Sequence, residues 1–387
     1  MKKLLVVLLV LCFAAPVAAA DWHFYGSLRT HLGYYDVDQE YIGGPAMDGT
    51  IGDFGVDDDS GTLLGLGAQS RFGVKAIASE NLYGVIELGF RDSTRDNADN
   101  DDDYLRLAYG VWNFGAGKLT VGKDYTPGTF LGYSRMGADI GDSGDANMLL
   151  GGLSYIGRQS QIKLSFGDLD IALIEQNKDA FDYGGDMDFY LPRIEAAYVF
   201  RTDLVNIRPV VGFQTYEVDG GPNDGEDIDS YLVGLGASFD LKPAYIKTTC
   251  TYLQNAGNYG ELNLGLVSVL NGITPEGSIL NARVVNGSVE DSELLQGTFV
   301  AGVQVNEMLN LEAGFGYMSG EVDIAQGVTA EQTAYLYYLQ AWLSMAKGMH
   351  IIPEIGMLDR GDLEIDGMDD TDSGKLTYFD VNFRVDF

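Results

Sequence analysis

The chain has 387 residues, and 57 acidic against 24 basic side chains give it a formal net charge of −33. Such an excess of acid repels nucleic acid and anionic membrane surfaces, so neither is expected as a partner held by charge. Of the two cysteines, Cys12 falls in a leader and Cys250 alone belongs to the mature chain, which excludes an intramolecular disulfide framework.

Residues 1–20 open with Lys2 and Lys3, run apolar from Leu4 to Ala15 and close on Ala18, Ala19 and Ala20. That is the order of a cleaved secretory signal, so residues 21–387 are expected to form one mature domain. No mature stretch approaches the roughly 18 consecutive apolar residues of a membrane helix. Alternation with a period of two takes its place. Phe24, Gly26, Leu28, Thr30, Leu32 and Tyr34 alternate with Tyr25, Ser27, Arg29 and His31. The next strand sets Leu64, Leu66, Ala68, Ser70, Phe72 and Val74 against Gln69, Arg71 and Lys75, and a third sets Leu82, Gly84, Ile86, Leu88 and Phe90 against Glu87 and Arg91.

Strands over 104–112 and 118–123 lead into a long insertion, 124–157, rich in Gly, Asp and Met, and 158–166 leads out of it. A compact domain seldom carries so long a loop without a use for it. The insertion is expected to fold inward and narrow a pore, with Lys123 and Arg158 at its edges and Asp139, Asp142 and Asp145 in its middle. The remaining strands fall at 169–176, 189–200, 204–216, 230–239, 244–254, 295–305, 309–317, 334–344, 350–358 and 375–387. This makes sixteen; residues 262–269 and 279–285 offer two more, for eighteen.

In the last strand Phe379, Val381, Phe383, Val385 and Phe387 oppose Asp380, Asn382, Arg384 and Asp386. An outward apolar face that ends on an aromatic fits a strand meeting lipid. Strand charges agree: Arg29, Arg71, Lys75, Arg91, Arg106, Lys163, Arg193, Arg208, Lys247 and Arg384 all fall opposite the apolar series of their strands. There they avoid the cost of about 2–4 kcal/mol for a basic side chain at mid-membrane. An interior so charged is a wet channel, not a packed core. The fold class is therefore all-β, a transmembrane antiparallel β-barrel with its long third loop in the lumen. Two residues depart from simple alternation. Lys123 shares the parity of Leu119 and Val121, so a bulge at Gly122 is expected to turn it inward; Arg158 shares that of Ile162 and Leu164 and is placed in the loop end before the strand.

Acids concentrate in residues 36–61, 92–103, 217–229 and 359–374, all in long connections on one side of the barrel. No defined calcium loop occurs, and no metal site is assigned. The runs Asp57, Asp58, Asp59 and Asp101, Asp102, Asp103 are loose candidates for Ca²⁺ or Mg²⁺. His23, His31 and His350 are the only histidines and none joins a catalytic constellation, so no enzyme is expected and no cofactor is implied.

Phe24 to Leu28, Ser70 to Lys75 running into Glu80, Asn81 and Leu82, Leu119 to Pro127, and the terminal Phe387 together resemble the trimeric general porins of Gram-negative outer membranes. The resemblance covers mostly the first 170 residues and the last ten. It implies a homotrimer in the outer membrane among lipids and lipopolysaccharide, passing small hydrophilic solutes and ions. It further implies a constriction in which acids on loop three face a basic wall. Arg71, Lys123 and Arg158 fall at the family's basic positions, and Arg29 stands in for one that Ser27 replaces. Met136 to Asp142 lacks the family's Pro-Glu-Phe-Gly-Gly-Asp run. Because one barrel hosts several modes by changing loops, a channel specific for phosphate, sulfate, a carboxylate or a sugar is the alternative.

Overall fold

The computed structural model describes residues 20–37, 60–67, 69–90, 105–135, 151–177, 183–261, 266 and 279–387. They form a closed antiparallel barrel of sixteen strands. In chain order these are β1 (Asp21–Val37), β2 (Ser60–Leu66 and Arg71–Ser79), β3 (Leu82–Gly89), β4 (Leu105–Asn113), β5 (Lys118–Tyr125), β6 (Arg158–Phe166) and β7 (Leu169–Ile174). Then follow β8 (Asp186–Asp188, Arg193–Tyr198 and Phe200–Arg201), β9 (Val205–Asp219), β10 (Asp227–Leu241) and β11 (Ala244–Gln254). The circuit ends with β12 (Ser292–Gln304), β13 (Leu309–Ala325), β14 (Val328–Ala346), β15 (Met349–Asp359) and β16 (Lys375–Asp386). Each strand pairs with the next, and β16 pairs with β1 from Ser27↔Asp386 to Val37↔Leu376, which leaves no free edge.

The polarity is inside out. Phe379 and Phe383 stand exposed on the outer face of β16 while Tyr378, Asp380 and Asn382 are buried on its inner face. The same alternation runs round the barrel, because a strand with one face to hydrocarbon and one to water reads apolar and polar by turns. Aromatic clusters mark the outer ends of the apolar band: Phe315 with Tyr335 and Tyr337 toward the long loops, and Trp112, Phe114 and Phe166 toward the short turns. Beyond the upper belt lies a row of glutamates in direct cross-strand register, Glu293↔Glu321↔Glu331↔Glu364, all exposed.

The barrel has the sixteen strands expected, without the two further ones that 262–269 and 279–285 offered, since β11 pairs with β12 directly. Within 255–291 the segment Arg283–Val285 pairs only with Ser288–Glu290 in a separate hairpin; of 262–269 only Leu266 is among the described residues. Four other expectations are corrected. Strand β2 is broken: Ser70 N–H returns to the Gly67 carbonyl, so Ser70 leaves the outward series and lies buried. No residue is inserted at Gly122, because β5 keeps continuous register with β4 and β6 from Leu119 to Lys123. What marks Gly122 instead is φ +124°, a conformation that disfavours any side chain. Arg158 is the first residue of β6, paired with Tyr125, and not part of the loop end. Finally β13 and β14 climb to Ala325 and Val328, well past the expected 317 and 334, and meet in a two-residue turn.

Candidate functional site: the basic wall and loop three

On one side of the lumen the inner faces of β16, β1, β2, β4 and β6 bring five guanidinia together. Arg29 pairs in register with Arg384, and Arg71 with Ser27. Arg29 is buried: its Nε donates to Ser27 Oγ at 3.3 Å, its Nη1 donates to Gln69 Oε1, and its backbone N–H donates to Ser70 Oγ at 2.9 Å. The break in β2 supplies both Gln69 and Ser70 to this arginine. Glu87 on β3 sits 2.8 Å from Arg106 Nε and 3.8 Å from Arg71 Nε. Arg106 Nη2 also donates to Tyr125 Oη at 3.3 Å, and the Arg158 guanidinium lies 5.6 Å over the Tyr125 ring. Arg158 thus faces inward although its parity points outward. Arg384 Nε donates to Asp386 at 2.9 Å. Among the described residues two carboxylates, Glu87 and Asp386, pair with these five cations, so that described part of the wall is net positive.

Lys123 is half-buried on β5, beside Asp124, whose carboxylate accepts from Lys163 Nζ at 2.8 Å. Asp124 and Tyr125 both bond to inward groups, which strict alternation forbids for neighbours; the bend at Gly122 two residues earlier is the local irregularity of that strand.

Opposite this wall lie the arms of loop three, 126–135 and 151–157, laid along β8 to β14. Glu195 on β8 accepts from Gly128 N–H at 2.5 Å, and Arg208 on β9 donates to the Pro127 carbonyl at 2.5 Å. Lys247 on β11 donates to the Gly132 carbonyl at 2.6 Å; Glu312 on β13 accepts from Arg135 N–H at 2.7 Å, and Gln340 on β14 donates to the Arg135 carbonyl at 3.0 Å. The rings of Phe130 and Tyr133 rest where β10 offers glycine: a Cβ on Gly234 would sit 2.8 Å from Phe130. On β13 a Cβ at Gly316 would fall inside the carbonyl of Gly151. These close approaches require glycine at both positions.

Loop six, the connection 255–291 between β11 and β12, joins the same assembly through its described residues. Its single turn of helix, α1 (Ala256–Tyr259), turns Tyr259 Oη to Glu195 at 3.0 Å, while Arg193 Nη1 donates to the Tyr259 carbonyl at 2.6 Å. Arg193 and Glu195 are fully buried, with Nε 3.3 Å from Oε1.

Of the expected basic residues, Arg29, Arg71 and Arg158 come together, with Lys123 near them on β5. Asp139, Asp142 and Asp145 lie outside the described residues, as do Asp57, Asp58, Asp59, Asp101, Asp102 and Asp103. Arg106, Arg384 and Glu87 join the site as well, beyond the lumen-facing positions expected of them, and so do Arg135 and loop six, which are not among the expected site residues. Strand parity identifies the first three as inward. Arg135 is exposed on loop three, its guanidinium carbon 5.8 Å from the Tyr245 ring and 5.6 Å from that of Trp342; the sequence carries no signal for that placement.

No family model matches the chain, and no curated protein matches its sequence. Solved structures do. The outer-membrane channel DcaP of Acinetobacter baumannii superposes with TM-score 0.68 at 14% identity, over 96% of this chain and 98% of that one. OmpF of Salmonella typhi gives 0.58 at 12% over 94% and 97%, and an anion-selective porin from Comamonas acidovorans gives 0.56 at 14% over 95% and 100%. The identities are low, but the superposition runs along nearly the whole length of each chain: the chain has the fold of the Gram-negative outer-membrane porins.

Proposed function

We propose that the protein is an outer-membrane porin through which small hydrophilic solutes and ions diffuse passively. The observation that carries this reading is the placement of loop three, tied along β8 to β14 opposite a net positive wall. Charges on low-dielectric walls across an opening comparable with the Debye length, about 8 Å at physiological salt, act on a passing ion with little screening. They also order water across the opening, which disfavours apolar solutes. Size sets the cutoff and charge sets the preference. The same features could serve a channel specific for phosphate, sulfate, a carboxylate or a sugar. Reconstitution in planar bilayers separates the two: ohmic conductance that no candidate solute saturably blocks supports diffusion, saturable block supports specificity, and absence of conductance overturns both.

The proposal extends to a homotrimer beside lipopolysaccharide. Like charges directly opposite on paired strands are destabilising, and four in a row, Glu293, Glu321, Glu331 and Glu364, stand just above the aromatic belt. Among the described residues no three His, Cys, Asp or Glu side chains converge on a metal-sized site. Carboxylates here would instead share Ca²⁺ or Mg²⁺ loosely with neighbouring phosphates, as the loop runs 57–59 and 101–103 would. We expect Ca²⁺ to raise the temperature at which the oligomer dissociates in mild detergent, beyond the effect of sodium chloride at equal ionic strength. Equal midpoints in the two salts would leave these acids as solvated charge.

A further inference from the structure

We propose that Glu261 of loop six is a proton-sensing positioning residue, whose neutral carboxyl latches the return arm of loop three and whose ionisation loosens it. The inference rests on the channel reading above. Residues 151–157 are buried along their whole length. Glu261 Oε2 stands 2.7 Å from Ser154 Oγ, and Oε1 accepts from Tyr155 N–H at 2.9 Å and from Gln296 Nε2 at 3.0 Å. Ser154 Oγ also lies 3.4 Å from the carbonyl of Gly128, on the outgoing arm. Ser154 has one hydroxyl hydrogen for these two acceptors. A proton on Glu261 completes the chain: the carboxyl donates to Ser154, and Ser154 donates to Gly128, which ties both arms to loop six. An ionised Glu261 claims the serine hydrogen for itself and leaves the Gly128 carbonyl without it.

The latch has a rigid mount. Glu261 N–H donates to the Ala256 carbonyl at 2.9 Å. Asn258 fixes α1 through its Nδ2, which donates to Tyr183 Oη at 2.8 Å and Tyr216 Oη at 2.5 Å, and through its Oδ1, which accepts from Ala282 N–H at 2.8 Å. Among the described residues the charged and titratable groups around Glu261 are Glu195 from β8, with Arg193 beside it, the phenol of Tyr259 on its own loop and that of Tyr155 from loop three. Among the described residues no cation pairs with Glu261. Burial, reinforced by the charge of Glu195, pushes its carboxyl up to about 7 against the hydrogen bonds from Tyr155, Gln296 and Ser154.

The sign follows. A group whose docked pKa exceeds its free value contributes fully below the free value of 4.5 and loses that contribution as pH rises to about 7. Docking of loop three onto loop six should weaken by about three-hundredfold at most across that window. Single-channel recording of the purified oligomer between pH 4 and 9 reads this as current noise and closures, rising from pH 5 to 7 and level above. Glu261→Gln, whose amide donates to Ser154 and accepts from Tyr155, should be quiet at every pH. Gln296→Leu removes a donor to the carboxylate and should carry the rise to higher pH, a check that holds even if the glutamine variant does not assemble. A conducting wild type with a flat profile, or a Gln296→Leu profile that coincides with the wild type, overturns the latch. Absence of any conductance would instead strike the channel reading.

Discussion

Replacement of Arg71, Arg158 and Arg384 together by glutamine is expected to move the reversal potential in a tenfold KCl gradient toward cation preference. Each guanidinium has a share of the basic wall, and Glu87 keeps Arg106 when Arg71 is lost. At separations of 5–10 Å and an effective dielectric constant near 20, each full charge acts on a passing ion with about 2–3 kcal/mol. Screening and the paired carboxylates reduce this, and a change in permeability ratio of about threefold to tenfold should remain for the triple variant. Adding Arg135→Gln should increase the shift, because this arginine is exposed on loop three over Tyr245 and Trp342. Lys123→Gln tests the member of the wall whose side chain leaves the strand beside Gly122. A triple variant with the wild-type reversal potential would remove these residues from the narrow region.

Glu195→Ala is expected to cause the largest loss of stability of any single substitution in the barrel interior. The side chain is fully buried and has three partners from three parts of the chain: Arg193 on its own strand, Gly128 N–H on loop three and Tyr259 Oη on loop six. Its removal leaves a buried guanidinium without its counter-charge, and breaking such a pair typically costs about 3–5 kcal/mol. Two orphaned donors add about 1–3 kcal/mol each. Thermal melting of the oligomer should show a large fall in midpoint, and a protease should cut loops three and six in the variant under conditions that spare the wild type. Replacing both partners, with Arg193→Met and Glu195→Leu, should recover much of the loss, since an apolar pair carries no buried charge. A single variant as stable as the wild type would mean that Glu195 contributes nothing to the docking of either loop.

The barrel was legible in the sequence because its information is local. Alternation in β16 or β1 needs only neighbouring residues, and inward Arg29, Arg71 and Arg384 follow from parity alone. The broken β2 was not legible, since Ala68 and Ser70 continue the apolar-small series while the turn is closed by a hydrogen bond from Ser70 to Gly67. Arg158 faces inward as expected but not from a loop end: it turns toward the Tyr125 ring from within the strand. Glu195, Glu261 and Glu312 were invisible because what makes them matter is a partner far away in sequence, as when Glu312 receives Arg135 N–H across 177 residues. Gly234 and Gly316 likewise look like ordinary strand glycines until Phe130 and Gly151 lie against them.

The seam between β1 and β16 also governs how the molecule can be made. His31 Nδ1 and Asp380 Oδ2 meet at 2.7 Å across 349 residues, and Phe387 exchanges backbone hydrogen bonds with Gly26. Among the described residues every other pairing between two of the sixteen strands joins neighbours in sequence, so hairpins can assemble progressively. Ring closure alone must bring the two extremes of the chain together. The entropy of closing so long a loop grows only logarithmically with length, so the seam costs little more than a shorter one in equilibrium terms, but its contacts are the last to be rewarded. Until then two strand edges stay open, each a template for pairing with another chain. Assembly of this barrel is therefore gated by the pairing of β16 with β1, and the unfinished sheet is the form most exposed to misassociation.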